Sequence, residues 1–523
     1  GAAGGAGGAN SVWIGSNAGL AVVAAQDNVG IGYLAGDAIT TGGYNTLVGV
    51  RAGSALVDAG SNTLIGFDAG KLLTAANNVA VGAGALDAAV AVSGNVAVGN
   101  NALGLNEVAG NTAVGFAAMD SNTTGASNSA VGYDALGAVT DGHSNTALGS
   151  DAAKSLTTGD ESVAIGHGAL DGATTVHGNT AVGTDALGGA LTGGYNTAVG
   201  YNAMLVATSV TGCTAIGTQA LDALTTGDNN TAVGGAALGG ITTGANCTAV
   251  GFEALNVNTG SQNVAVGTYA LKANTSAVSN TAVGYAALDQ MTTGGYCTAV
   301  GENALGVNAA NDGTAVGRDA LRANTTGGKN TAVGNNTLYA NTTGGEAVAI
   351  GANALVSATT GGSNVAVGYK ALENVTTGSN NIALGKETGR NASSPGGNIT
   401  TGDNQVVVGN ANIANAFIEV VWSVASDERD KTDFTALDVG LDFVNDLEPL
   451  TYKWDKRSKY VNWTVNPDTD LDSITSDGTH KENWLDVGFK AQAVEKLEEQ
   501  YGYNISDETN LTTTLSGDGK QYS

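Results

Sequence analysis

Residues Asn196 to Gly212 read NTAVGYNAMLVATSVTG, and the fold turns on the first five of them. In a strand, successive side chains point to opposite faces. Thr197 and Val199 then share one face, and Asn196 and Ala198 share the other. Both sets are small or apolar, the pattern of a strand covered on both sides. One face suits a solenoid interior. The other calls for a neighbour, and the simplest neighbour is another copy of the chain. Gly200 ends the strand, Ala203 and Met204 form a second apolar pair, and a polar turn closes the stretch. In other units that turn is TTGG, which suits positive φ.

The unit recurs. NTAVG occurs verbatim starting at Asn111, Asn179, Asn196, Asn230, Asn280 and Asn330, and NTLVG, NVAVG, NTALG and SVAIG fill the gaps. Its glycine marks a register from Gly15, Gly32 and Gly49 through to Gly368 and Gly385. These are 23 units spaced by 17 residues, or by 16 in four intervals. A fixed period sustained this long means a solenoid or array. A unit this short, with a glycine or two, leaves no room for a helix longer than about a turn. The expectation is a mostly β chain, a parallel β-solenoid of about 23 coils of 16–17 residues, roughly 110 Å long at ~4.8 Å per coil. An acid often stands two residues after the register glycine, as at Asp68, Asp134, Asp151, Asp185, Glu253 and Asp319. That is read as a solvated acidic edge; a Ca²⁺-binding ladder lacks its sequence signature.

Composition sets limits. Among 523 residues there are 80 Gly, 3 Pro and 5% aromatics, and the formal net charge is −27. Such a chain has no basic footprint for nucleic acid. No apolar run is long enough to insert in a membrane as a helix. Cys213, Cys247 and Cys297 have no metal-ligand spacing and each stands where a repeat Asn is usual, four residues before the register glycine. They read as buried stand-ins within an Asn stack. His143, His167, His177 and His480 are scattered and read as surface residues. No metal or cofactor is expected. The absence of an initial Met suggests a fragment of a longer protein.

Regularity fails at GRNASSPGGNITTGDNQ, and QVVVGN gives one last strand-like piece. Residues 411–425 read as a β-rich neck. Beyond it the composition changes: four of the five Trp lie past residue 420 and 10 of the 20 Lys and Arg past residue 428. The expected division is a solenoid over 1–410, the neck, and a small α+β domain over 426–523. In that domain TALDVGLDFVNDL reads as a helix with Leu437, Leu441, Val444 and Leu447 on one face. EPLTYKW reads as a strand. DVGFKAQAVEKLEEQYG reads as a strand feeding a helix, with Ala491, Val494, Leu497 and Tyr501 on one face and Gly502 as its stop.

Two resemblances follow. SVAIG, Ser162 to Gly166, resembles the head repeat of trimeric autotransporter adhesins, and NTAVGYNAM resembles repeats of phage tail-fibre proteins. SDERDKTDFTALDVGLDFVNDLEPLTYKW, VGFKAQAVEKL and GDGKQYS resemble the successive motifs of the self-cleaving intramolecular chaperone domain of phage tailspikes and tail fibres, the endosialidase-type or peptidase S74 family. The final helices of that family are missing, so the domain reads as truncated at Ser523. The resemblance implies a homotrimer in which the C-terminal domain directs folding of the upstream β-structure and then releases itself. It also implies a Ser-Lys cut: Ser426 Oγ attacks the carbonyl of Ala425, Lys431 takes the proton, and Asp427 supports them. A Ser-Asp pair at this place also fits a simple turn or helix cap. The family has an apolar residue before that Lys; this chain has Asp430, which favours charged Lys431 and weakens it as a base.

The function expected is a structural, host-attaching tail-fibre or tailspike segment, extracellular on the virion tail. Its partners would be two further copies, other tail proteins and a host glycan or protein receptor. The alternatives are a bacterial trimeric autotransporter-like adhesin and an ice-binding solenoid using the Thr of NTAVG, although alternation is read as burying much of that Thr face. Beyond one self-cleavage, no turnover is expected.

Overall fold

The computed structural model describes residues 10–390, 397–413, 440–453, 460, 474–481, 483 and 485–502. The chain divides into two compact units, Gly1–Ala416 and Phe417–Ser523.

The first unit is a parallel β-solenoid. Its strands run from β1 (Val12–Ile14) to β24 (Val406–Val408), each three residues long, and form one 24-stranded sheet. Each strand pairs with the next at the same repeat position: Thr180 with Thr197, Thr197 with Thr214, Thr214 with Thr231. The last strand enters after a longer interval, with Leu384 against Val408.

Positions are numbered here from the register glycine, so that β12 (Thr197–Val199) spans −3 to −1 ahead of Gly200. The interior takes Asn196 (−4), Ala198 (−2), Ala203 (+3), Met204 (+4), Ala207 (+7) and Val210 (+10), all fully buried. Thr197 and Val199 face outward and are only partly covered. Thus one strand face builds the core and the other lies on the surface of the single chain. The Thr face is the outer one, the reverse of the expectation that alternation buries it.

The coil closes with left-handed backbone rather than helix. Tyr195, Asn202 and Met204 have φ of 62°, 55° and 54°, and Gly200 has φ of 139°. A Cβ at the register glycine would collide with the carbonyl of the next coil's glycine. This makes the glycine obligatory at each turn of the stack. Asn and Asp at +2 tolerate left-handed φ. Leu or Met at +4 does not, at about 1–2 kcal/mol per residue. Complete burial of that side chain, at about 1.5–3 kcal/mol, offsets the cost.

In the second unit, α1 (Gly440–Asp446) precedes β25 (Leu450–Tyr452), which pairs antiparallel with β26 (Asp486–Gly488), and α2 (Ala491–Gln500) follows. Phe443 is buried and its ring meets that of Tyr501 edge-on at 5.5 Å. Val444 is 52% exposed, so the packed side of α1 is one residue away from the expected stripe. On α2, Val494 and Glu498 are buried, with Ala491, Leu497 and Tyr501 partly covered beside them, close to the expected face.

Candidate functional site

Two polar ladders hold the solenoid coil to coil. At −4, each Asn side chain bridges to the next coil. Asn28 Oδ1 accepts the N–H of Asn45 at 2.9 Å, and Asn28 Nδ2 donates to Gly42 O at 3.0 Å. The same pair of bonds recurs at Asn196 with Cys213 and Val210, and at Asn230 with Cys247 and Gly244. Each such bond adds about 0.5–1.5 kcal/mol.

The three cysteines sit in this ladder as buried free thiols. Cys213 Sγ faces the N–H of Asn230 at 3.4 Å and Gly227 O at 3.5 Å, the two partners an Asn would have engaged. Burial pushes all three thiols up from their ordinary value, which makes them poor nucleophiles.

The second ladder lies at +7 and sequence reasoning missed it. There most coils place an apolar residue, but Asn106, Asn258 and Asn308 occupy the position in three of the four 16-residue coils. Asn258 folds over its own turn: Nδ2 donates to Gly260 O at 2.6 Å and Oδ1 accepts from Gly260 N–H at 3.0 Å. The next coil joins on, with Asn274 to Asn258, Asn324 to Asn308 and Asn341 to Asn324 at 3.0, 2.7 and 2.8 Å. The signal was present as a polar residue at an interior position coinciding with a shortened interval.

The +2 acids are paired rather than bare. Arg51 grips Asp68 with two bonds of 2.6 Å, Lys154 lies 2.9 Å from Asp134 and 3.1 Å from Asp151, and Lys272 is 2.6 Å from Glu253. Among the described residues, no group of three or more His, Cys, Asp or Glu is placed to hold a metal ion. His143, His167 and His177 are exposed and lie 3.8, 3.9 and 3.4 Å from Asp141, Asp185 and Asp160. Hydroxyls of Thr123, Thr140 and Thr157 donate to the next coil's backbone carbonyl at 2.9, 3.3 and 2.9 Å.

In the second unit, Tyr501 Oη donates to Asp446 Oδ2 at 2.9 Å, tying the end of α2 to α1. That bond raises the Tyr501 hydroxyl above its ordinary value. Tyr460 Oη accepts backbone N–H groups of Asp477, Thr479 and His480. Hydrogen bonds from Thr479 hold the Asp477 carboxyl below the usual range. Val444, Leu485, Val487 and Phe489 are exposed. Ala425, Ser426, Asp427, Asp430 and Lys431, the expected cleavage residues, lie outside the described residues.

Residues 426–503 match the family described as chaperone of endosialidase. No curated protein matches the chain. The chain thus joins a parallel β-solenoid to a C-terminal intramolecular chaperone domain of the endosialidase type. No helix among the described residues is long and apolar enough to cross a membrane.

Proposed function

We propose that the chain is part of a viral tail fibre or tailspike, a trimeric shaft assembled by its C-terminal domain. The observation that carries this reading is the endosialidase-chaperone match at 426–503, directly after a solenoid built from non-local strand pairs. Each strand pairs only with strands 16–17 residues away, or 24 at the last step, so no coil is stable alone and the stack gains from a fixed starting point. The shaft positions surfaces for a host glycan or protein receptor on the virion tail, alongside other tail proteins.

The domain then releases itself through Ser426 and Lys431, with Asp427 in support and Ala425–Ser426 as the scissile bond. Ser gains nucleophilicity only with a base at hand. Asp430 beside Lys431 slows that step by favouring the charged amine. The denatured intact mass of freshly expressed chain, set beside Ser426→Ala, tests the chemistry. A fragment starting at Ser426 in the parent only supports the cut. A single uncut mass in both makes the domain a permanent clamp and removes the Ser-Lys assignment.

A further inference from the structure

The outer face of the 24-stranded sheet is unlike the rest of the surface. It is made of the residues at −3 and −1. Every −1 residue is Val, Ile or Leu, and every −3 residue is Thr, Val, Ser or Ile. Neither rank holds a charged residue from β1 to β24, in a chain whose formal charge is −27. These side chains are left substantially open in the single chain: Leu148 is 48% exposed, Ile216 and Ile350 41% each, and Leu384 40%. The inward rank at −2 is fully buried over the same strands, as at Ala198, Ala215 and Ala349.

We propose that this face is covered along its length by the other two copies of the chain, lying parallel, the three sheets turning their −1 and −3 ranks toward a shared threefold axis. The proposal rests on the trimeric reading above and assigns the surface that makes it. Three features select a copy over any other occupant. A partner bearing the same large negative charge can approach closely only where charge is absent, since like charges brought together cost affinity. The face repeats at the coil spacing, so only a partner with that same period keeps each apolar row matched from end to end. And a strip of three-residue strands over 24 coils offers roughly 1,000 Å² per copy, above the ~800 Å² per partner of a standard stable interface. An unbroken apolar row at −1, flanked at −3 by Thr, Ser or apolar residues over the same length, marks an interaction surface.

The test uses full-length chain carrying one added thiol, either Ile216→Cys or Ile350→Cys on the face. Thr226→Cys and Thr360→Cys serve as controls on exposed turns of neighbouring or the same coils. The native cysteines are buried and serve as an unreactive background. Mass is read by light scattering and accessibility by a small maleimide. The expected result is a trimer that labels at both turn sites, stays unlabelled at both face sites, and labels everywhere once denatured. A trimer that labels at face and turn alike overturns this surface while leaving the trimeric reading standing. A monomer overturns both, and thermal hysteresis from that monomer would give the Thr ranks to ice instead. Two sites in separate coils guard against one substitution disturbing its own coil.

Discussion

At the scale of single residues, the solenoid's N-terminal end departs from its own repeat. The inward −2 residue is Ala throughout from β5 (Val79–Val81) to β23 (Ile382–Leu384), but it is Trp13 in β1 and Gly30 in β2 (Val29–Ile31). The Trp13 ring lies where a Gly30 side chain would stand, so a Cβ there would fall inside van der Waals contact of the indole. Trp13 therefore plugs the core at the first described coil, and Gly30 makes room for it. Gly30→Ala restores the repeat's own residue and yet should destabilise the first coils by about 1–3 kcal/mol through overpacking. In a Trp13→Ala background the same change should be neutral or favourable, because Gly weakens a strand by about 0.5–1 kcal/mol relative to Ala. Native-state hydrogen exchange over Val29 to Tyr44 measures both arms; equal costs in the two backgrounds would remove the plug. Cys213→Asn, also a return to the repeat, should act the other way. It regains full bonds to Asn230 N–H and Gly227 O, worth about 1 kcal/mol, and a lower denaturation midpoint would count against the ladder. The Asn stack was legible from spacing alone. The plug was not, because a bulky residue and the vacancy it needs sit on different coils.

At the scale of elements, the 16–17-residue period and the alternation within each unit located β1 to β23, since both follow from one register glycine per coil. What the period could not say is which face turns inward. On alternation alone, Thr197 and Val199 are as plausible a core as Ala198 and Asn196. The left-handed turns were hidden because Leu and Met at +4 disguise a conformation they ordinarily avoid. One consequence of those turns is electrostatic. Asp37, Asp87, Asp120, Asp171, Asp222 and Asp289 share position +5, where burial raises their carboxyl pKa above 3.8. Asp134 beside Asp120 and Asp185 beside Asp171 add to the rise. A carboxyl raised on folding binds its proton more tightly in the native state. Its contribution is then largest below the unfolded value of 3.8 and falls as pH climbs through the raised one. Solenoid melting should therefore shift upward as pH falls through the raised folded values toward 3.8. Asp477 has the opposite sign: its depressed carboxyl stabilises the second unit above 3.8 and loses that effect as pH falls through the lower folded value. Calorimetry across this range should show the two units moving apart, and a solenoid transition that moves down with acid would sink the argument.

At the scale of the whole molecule, the regularity that made the shaft legible is also its assembly problem. Every −1 residue on the outer face is Val, Ile or Leu, so sliding one copy past another by a single coil still matches apolar rows. The four 16-residue intervals and the scattered outer aromatics, such as Phe116 stacked on Tyr133 at 5.4 Å, penalise a slip only locally. Register between copies is thus weakly specified by the solenoid itself, as for any sheet lacking a distinctive pattern. A nonrepeating domain at one end supplies what the repeat lacks: if its copies associate first, the coils begin to pair from a fixed origin. The C-terminal unit fits that task in having sequence of ordinary complexity and an exposed apolar set at Val444, Leu485, Val487 and Phe489. Its family was readable from the first two of the three ordered motifs, which the match at 426–503 covers, whereas Ser426 and Lys431 were readable only as types at a spacing. In the proposed trimer that role is kinetic, acting on the path rather than on the finished assembly. Chain denatured and refolded at full length should regain one trimeric species. Chain ending at Ala425 should give monomers and mixed oligomers with ragged ends, seen as several masses by native mass spectrometry. Equal recovery of one trimer from both would mean that the coils find their own register, and the C-terminal domain would need another purpose.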